Sequence, residues 1–393
     1  MALKFKMDTP EQREKYRKNL ENIVLNELDP IADKIEAEDF IPDPDPVWVK
    51  FKAIDAYKLS VPKELGGYGL TFEQMVPLIE TGAKGHAWVR GGTHGSHSFV
   101  GQLWRGIYNY GTKEQKDKWL PLALNGIAAG IAITELNTGS GVDVGTTAEK
   151  KGNYYIVNGV KKLISYAGRD DHYSFPAEMT LVRTGDKKLG EKALSVLIID
   201  KDNPGVIAEE MEKFMMYHKA HYVTYDNAKV PAKNLLGAEG QGYEVIMKGF
   251  MEPSRISIGC STTGICQRML EISLDFAKNR VTFGKPIANR QMIQQMLAEM
   301  ATNIHASRLI VTDAARRFDQ GTLTPMYSSM AKMFAIEMSA RVSDSALLIH
   351  GGLGLTKRYT MERLYRDVRS LWFEEGTPTV QKVTIARELL DQC

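Results

Sequence analysis

The stretch that decides the fold is Arg363–Ala386, RLYRDVRSLWFEEGTPTVQKVTIA. An Arg-rich helical pattern runs into two adjacent acids, Glu374 and Glu375, at a Gly-Thr step, and a second helical pattern follows. Successive helical residues diverge by roughly 100°, so only one of two neighbouring acids can face a given site. Gly376 lets backbone come close to whatever that site holds. Read alone, the same residues are two solvated glutamates at a helix end. The rest of the chain separates the two readings.

Composition narrows the field first. The chain has 393 residues, 43% hydrophobic and 25% charged, which is ordinary for a globular protein and too long for one small core. Lys+Arg 50 against Asp+Glu 48 leaves +2, so there is no field for a nucleic acid or polyanion. Cys260, Cys266 and Cys393 form no CxxC and lack His-rich neighbours, so neither a zinc site nor a disulfide framework is expected. The N-terminal MALKFKMDTPEQREKYRKNL is charged and helix-like, with no apolar signal core, and no run reaches the ~20 apolar residues of a membrane span. The expected setting is cytoplasmic.

Three regions follow from the patterning. Ile23, Leu25, Leu28, Ile31 and Ile35 recur at helical spacing over residues 10–37, until the prolines of IPDPDP (Ile41–Pro46) break the helix, and further helices follow. From 128 to 240 the segments become short and β-rich: Gly130–Thr134, Asn153–Val157, Met179–Val182, Leu194–Ile199, His221–Tyr225. Helical patterns resume from Gly242. Met292, Ile293, Met296, Leu297, Met300 and Ile304 form one apolar stripe, and Met330, Met333, Phe334 and Met338 another, both expected in the core of a bundle. The expected domains are 1–127, helical; 128–240, β; and 241–393, a helical bundle.

Five motifs occupy this order: GIAITELNTGSGVDV (Gly130–Val144), NGVKKLISYAG (Asn158–Gly168), MEPSR (Met251–Arg255), RVTFGKPIANRQ (Arg280–Gln291) and LLIHGGLGLT (Leu347–Thr356). With the EEGT step, they make the chain resemble the acyl-CoA dehydrogenase family over essentially its whole length. The resemblance implies an α+β fold with an N-terminal helical domain, a middle β-barrel-like domain and a C-terminal four-helix bundle, bound FAD, and a homotetramer.

Site residues carry over one by one. The first motif implies flavin contact by Ile131, Ile133 and Thr134, with Ser140 at the flavin and CoA phosphate region; Leu136 stands for a usual proline and Gly141 for a usual aspartate. In the second, Leu163 replaces an aromatic and Ser165 a threonine whose hydroxyl reaches the flavin N5 region. Arg280, Phe283 and Gln291 would contact the FAD of a neighbouring subunit, an Arg fork being suited to pyrophosphate. Leu348, where Gln is usual, joins Gly351, Gly352, Thr377 and Thr379 near the same cofactor. No GxGxxG opens a βαβ unit, so this is no dinucleotide fingerprint. Glu252 and Arg255 match the acid and arginine near the CoA moiety, although E-x-x-R alone reads as a surface ion pair.

By resemblance, Glu375 is the general base that takes the α-proton of an acyl-CoA, while the β-hydride passes to flavin N5. The Glu375 backbone N–H and a flavin hydroxyl would hold the thioester oxygen, with Gly376 lining the substrate. Glu374 is left a solvated or structural role. Reoxidation by an electron-transfer flavoprotein is expected; an oxidase, or a flavin-binding electron-carrying or structural subunit, are the other readings. Within VRGGTHGSHSF (Val89–Phe99), Arg90 matches an arginine of glutaryl-CoA dehydrogenases that binds the distal carboxylate, while the acidic residue accompanying it there falls at Thr81. The substrate expected is a glutaryl- or substituted succinyl-type acyl-CoA, with Trp88, His94 and His97 as further recognition residues; a branched or cyclic monocarboxylic acyl-CoA is the alternative.

Overall fold

The structure, a computed structural model, describes residues 4–94, 102–127, 130–138, 141, 143–168 and 175–391. The N-terminal region is helical: α1 (Pro10–Asn22), α2 (Asp29–Glu38), α3 (Pro46–Ala53), α4 (Phe72–Gly82), α5 (Ala87–His94), α6 (Gln102–Tyr110) and α7 (Lys113–Ala123). Three of these start at capping boxes, Thr9/Gln12, Thr71/Gln74 and Thr112/Gln115, each satisfying two otherwise orphaned amides. Between α1 and α2 the chain widens into a π turn, Ile23–Leu28, just before Pro30, which has no amide to give to a regular ladder. Asp39, left-handed at φ 52°, ends α2 ahead of the prolines.

The middle region is one twisted sheet of β1 (Ile131–Ala132), β2 (Thr147–Lys151), β3 (Tyr154–Ser165), β4 (Ala177–Arg183), β5 (Leu194–Asp200), β6 (Val206–Glu210), β7 (Ala220–Pro231) and β8 (Leu235–Leu236). Its order is β6-β7-β3-β2-β4-β5-β8, with β1 parallel to β4. Strands β4 and β5 are buried on both faces, which their unbroken apolar runs require. One face packs against α6 and α7 through Trp104, Ile107 and Trp119; Tyr155, Val157, Val223 and Val230 fill the other.

The C-terminal region comprises α8 (Gly242–Ile246), α9 (Glu252–Asn279), a small hairpin of β9 (Val281–Thr282) and β10 (Lys285–Pro286), α10 (Gln291–Asp319), α11 (Pro325–His350), α12 (Met361–Ser370) and α13 (Pro378–Asp391). The apolar stripes need correcting here. Ile293, Met300 and Ile304 are buried, but Met292 is 62% exposed at the hairpin corner, off the seam that α10 presents to its neighbours. On α11 the buried seam is built from small residues such as Ala331, Ala335 and Val342, and of the Met stripe only Met338 is fully buried. Close helix approach is the reason: a Cβ on Gly259 of α9 would lie 3.3 Å from the Ala331 carbonyl oxygen. Cys260 and Cys266 are buried in the bundle as small apolar residues; Cys393 lies outside the described residues. Among the described residues no helix is long and apolar enough to cross a membrane, and no His/Cys/Asp/Glu group is arranged to hold a metal.

Candidate active site

After α12 the backbone turns into the left-handed region at Glu375 (φ 47°) and again at Gly376 (φ 94°). A non-glycine residue there is unusual and persists only when its surroundings dictate it. This turn separates the two acids. The Glu375 carboxylate points at α9, where Ser254 Oγ donates to its Oε1 at 2.5 Å. Glu374 points the other way, to Arg90 on α5, with Nη1–Oε1 3.7 Å. The role left to Glu374 by the sequence is thus a specific one: with the buried Asp367 it supplies negative charge to a buried arginine.

The loop is held by its carbonyls. Arg255, 4% exposed, donates Nε–H to the Glu375 carbonyl at 3.4 Å and Nη1–H to Ser329 at 3.2 Å. Gln381 donates to the carbonyls of Glu375 and Gly376 at 2.9 and 3.0 Å. Lys332 of α11, fully buried, donates to the carbonyls of Glu374 and Gly376. Burial pushes the Glu375 carboxyl up to about 7; the Glu374 charge adds to that, while Ser254, Lys332 and Arg255 oppose it. A carboxylate in this range takes and returns protons near neutrality. Burial raises Glu252 also, against the pull of Arg255.

The sheet forms a second wall. Lys161 on β3 reaches across to the Ile133 carbonyl (3.1 Å) and to Glu135 (2.7 Å), tying the segment after β1 to β3. A Cβ on Gly130 would meet Ile164 at 2.9 Å and the Ser165 carbonyl at 3.0 Å, so the two segments lie in direct contact. Between Lys161 and Ile164 the register shifts, and Leu163 turns left-handed (φ 61°), leaving its side chain 47% exposed. Ile131, Ile133 and Thr134 are half-buried on this wall. Ser165 carries a partner that the sequence did not announce, His218, at Oγ···Nε2 3.2 Å. Ser140 lies outside the described residues, as does His97.

The remaining expected residues sit elsewhere. Arg280, Gln291 and Phe283 (96% exposed) cluster around the β9–β10 hairpin, while Gly351, Gly352 and Leu348 (67% exposed) are open at the end of α11. Among the described residues, the hydrogen-bond partners of Glu375 are Ser254, Arg255 and Gln381 and include none of these. Thr377 and Thr379 lie at the start of α13 beside the Glu375–Gly376 turn. Thr81 is buried on α4, hydrogen-bonded to the Pro77 carbonyl and to Arg17 rather than placed beside Arg90. Arg90 itself, 4% exposed, also donates Nη2–H to Ser370 at 3.3 Å. Trp88 and Gly91, on another side of α5, line a cleft of about 740 Å³ with Trp48, Tyr166 and His221, a space whose lining excludes Glu375.

Family models for the acyl-CoA dehydrogenase N-terminal domain, middle domain and C-terminal domain match residues 9–127, 130–228 and 240–390. The chain belongs to the acyl-CoA dehydrogenase family. It is 35% identical to the acryloyl-CoA reductase (NADH) of Anaerotignum propionicum, over 96% of this chain and 94% of that one. It is 33% identical to the 3-(aryl)acrylate reductase of Clostridium sporogenes, over 97% and 99%. Among solved structures, a glutaryl-coenzyme A dehydrogenase in complex with glutaryl-CoA superposes with a TM-score of 0.89 at 27% identity, covering 98% of this chain and 97% of that one. As a member of this family the protein is an oxidoreductase with FAD as cofactor.

The residues present fit that group. A planar heteroaromatic ring needs an apolar wall with a few hydroxyls, and the exposed Leu163 beside Ser165 and Thr134 provides one. The flavin, when bound, accepts the hydride equivalent; the acid–base chemistry belongs to the protein.

Proposed function

We propose that this acyl-CoA dehydrogenase converts an acyl-CoA thioester to its 2-enoyl-CoA, with Glu375 removing the α-proton and an electron-transfer flavoprotein collecting the electrons. The observation that carries this is Glu375 itself: a carboxyl brought to about 7, hydrogen-bonded by Ser254, on a turn whose carbonyls are all tied down. The Glu375 N–H holds the thioester oxygen, so charge that develops as the α-proton leaves falls on a fixed donor. Ile131, Ile133, Thr134, Ser140, Leu163 and Ser165 hold one end of the FAD. Arg280, Phe283, Gln291, Leu348, Gly351, Gly352, Thr377 and Thr379 belong to its other contacts, several across a subunit boundary in a homotetramer. The exposed Phe283, Leu348 and Leu355 support such a boundary. Glu252, Arg255, Ser140 and Gly376 face the CoA thioester, and the protein works in the cytoplasm.

For the acyl group, we propose a chain ending in a carboxylate received by Arg90. The 3.7 Å contact with Glu374 is too long for a hydrogen bond, so an incoming carboxylate has a geometric opening to compete. The same contact favours a second reading. Arg90 already has its counter-charge, so an uncharged acyl group, of the kind named in the acryloyl-CoA and aryl-acrylate reductases, meets a neutral pair. A panel of CoA thioesters with and without a terminal carboxylate, scored by flavin bleaching, separates the two. If the carboxylate reading holds, the dicarboxylic thioesters bleach fastest and Arg90→Ala costs them about 30-fold or more while sparing monocarboxylic analogues. A monocarboxylic thioester oxidised best, with no selective Arg90 effect, leaves the dehydrogenase and removes the carboxylate.

A further inference from the structure

We propose that Lys332 is a positioning residue for the reaction: its buried ammonium clamps the peptide carbonyls on both sides of Glu375 and thereby aims the Glu375 N–H. The proposal rests on the reading of Glu375 as the base and of its N–H as the thioester-oxygen donor.

The argument begins with the peptide unit. A trans peptide is planar, and its C=O and N–H point in opposite directions. The carbonyl of Glu374 and the amide of Glu375 belong to the same plane, so whatever holds the first orients the second. Lys332 Nζ donates to the Glu374 carbonyl from the α11 side, so the Glu375 N–H faces away from the bundle interior. The left-handed turn at Glu375 and Gly376 brings the carbonyls of Glu374 and Gly376 to one ammonium, and Lys332 holds both.

Arg255 binds the Glu375 carbonyl, and Gln381 the carbonyls of Glu375 and Gly376. Lys332 is fully buried on a helix face that carries Ala335 and Ile336 together with the buried hydroxyls of Ser328, Ser329 and Ser339. Burial pushes its ammonium down to about 8, opposed by the charges of Glu375 and Glu374. A lysine kept at such a position for packing alone would be costly; its two carbonyl bonds give it a use.

The test compares Lys332→Met with Glu375→Gln in the FAD-loaded enzyme. Crotonyl-CoA labelled with carbon-13 at its thioester carbonyl is the probe, read by Raman difference spectroscopy. In the wild type the carbonyl stretch moves down on binding, as a donor polarises it. Lys332→Met is expected to retain FAD, to lose most of that shift, and to slow flavin reduction by roughly 10- to 100-fold in kcat with little change in KM, less than the roughly 10²- to 10³-fold of an oxyanion donor removed outright, because the donor is displaced and not deleted. Glu375→Gln keeps the carbonyl shift and loses the rate. Lys332→Gln, which keeps one neutral amide donor, gives an intermediate shift and covers a Met variant that does not fold. A full wild-type carbonyl shift in a folded variant without the ammonium overturns the proposal and leaves Glu375 untouched. A wild-type rate in Glu375→Gln overturns the base assignment instead.

Discussion

Two buried glutamate–lysine pairs in this molecule have opposite outcomes. In the β region Lys161 contacts Glu135 directly at 2.7 Å, and the amides of Gly145 and Thr146 donate to the same carboxylate at 2.6 and 2.9 Å. Burial works against the Glu135 charge, but these donors prevail and bring it down to about 2. At the Glu375 turn Lys332 is as buried, and burial brings both lysines to about 8. There the ammonium is bonded to backbone carbonyls instead of the carboxylate, and Glu375 rises to about 7. The same two residue types accompany a carboxyl held well below its ordinary value in one place and one raised toward neutrality in the other. Burial and the neighbouring Glu374 charge raise Glu375, whereas at Glu135 the direct bonds from Lys161 and the backbone amides outweigh burial.

The sharpest way to break this comparison is at the reactive pair. Glu375→Gln removes the proton acceptor but keeps the shape of the turn. It should keep FAD, bind acyl-CoA and bleach the flavin at least ~10²-fold more slowly, the usual scale for a lost general base. Glu374→Gln should fall far short of that, since Glu374 faces Arg90 and not Ser254. Stopped-flow reduction of the two variants decides it; the reverse ranking would mean that the wrong acid was chosen.

The structural pair should respond in stability rather than in chemistry. Glu135→Gln leaves Lys161 buried without its anion and weakens the link between the segment after β1 and β3. Removing one partner of such a pair costs about 3–5 kcal/mol, moderated here because Lys161 is already inclined to give up its proton. Thermal melts should therefore fall by several degrees for Glu135→Gln and by less for Glu374→Gln, whose 3.7 Å contact with Arg90 is longer and whose removal also relieves its repulsion of Glu375. Equal melts would mean that the Glu135 bonds add little to the fold.

Much of this was legible in the chain itself. The three-part order, the β segments, and the residues Glu375, Arg255 and Leu163 all stand in contiguous motifs, and short motifs are what a sequence displays well. The partner of Glu374 is not of that kind: Arg90 lies on a helix of the first region, and only the tertiary fold brings α5 to the end of α12. Lys332 was in plain view within MAKMFA, but the methionines around it read as a core stripe and hid the lysine among them. A lysine between buried positions was the available signal. The left-handed conformation of Glu375 and Leu163 had no signal, because neither is the glycine or asparagine that normally marks it.

The smallest expected effect tests the comparison through pH. Glu375 has a folded value of about 7 against an ordinary 4.5, so between those values the native state binds more protons than the unfolded chain. Stability from this group therefore falls as pH rises through that window, and the penalty is complete above it. Glu135, lowered to about 2, behaves in the opposite way: its contribution is present above its ordinary 4.5 and is lost only as pH falls toward 2. Glu375→Gln should accordingly melt close to wild type at pH 5 and above it at pH 7.5, where the charged carboxylate no longer burdens the fold. The full shift would correspond to about 3 kcal/mol, and partial solvent access reduces this to roughly 1–2 kcal/mol, or a few degrees. Both measurements lie below the range in which Lys332, itself depressed to about 8, begins to add stability as pH rises. A Glu375→Gln variant less stable than wild type at both pH values would mean that the carboxylate stabilises the turn, as Glu135 does its own site, and the contrast between the two pairs would fail.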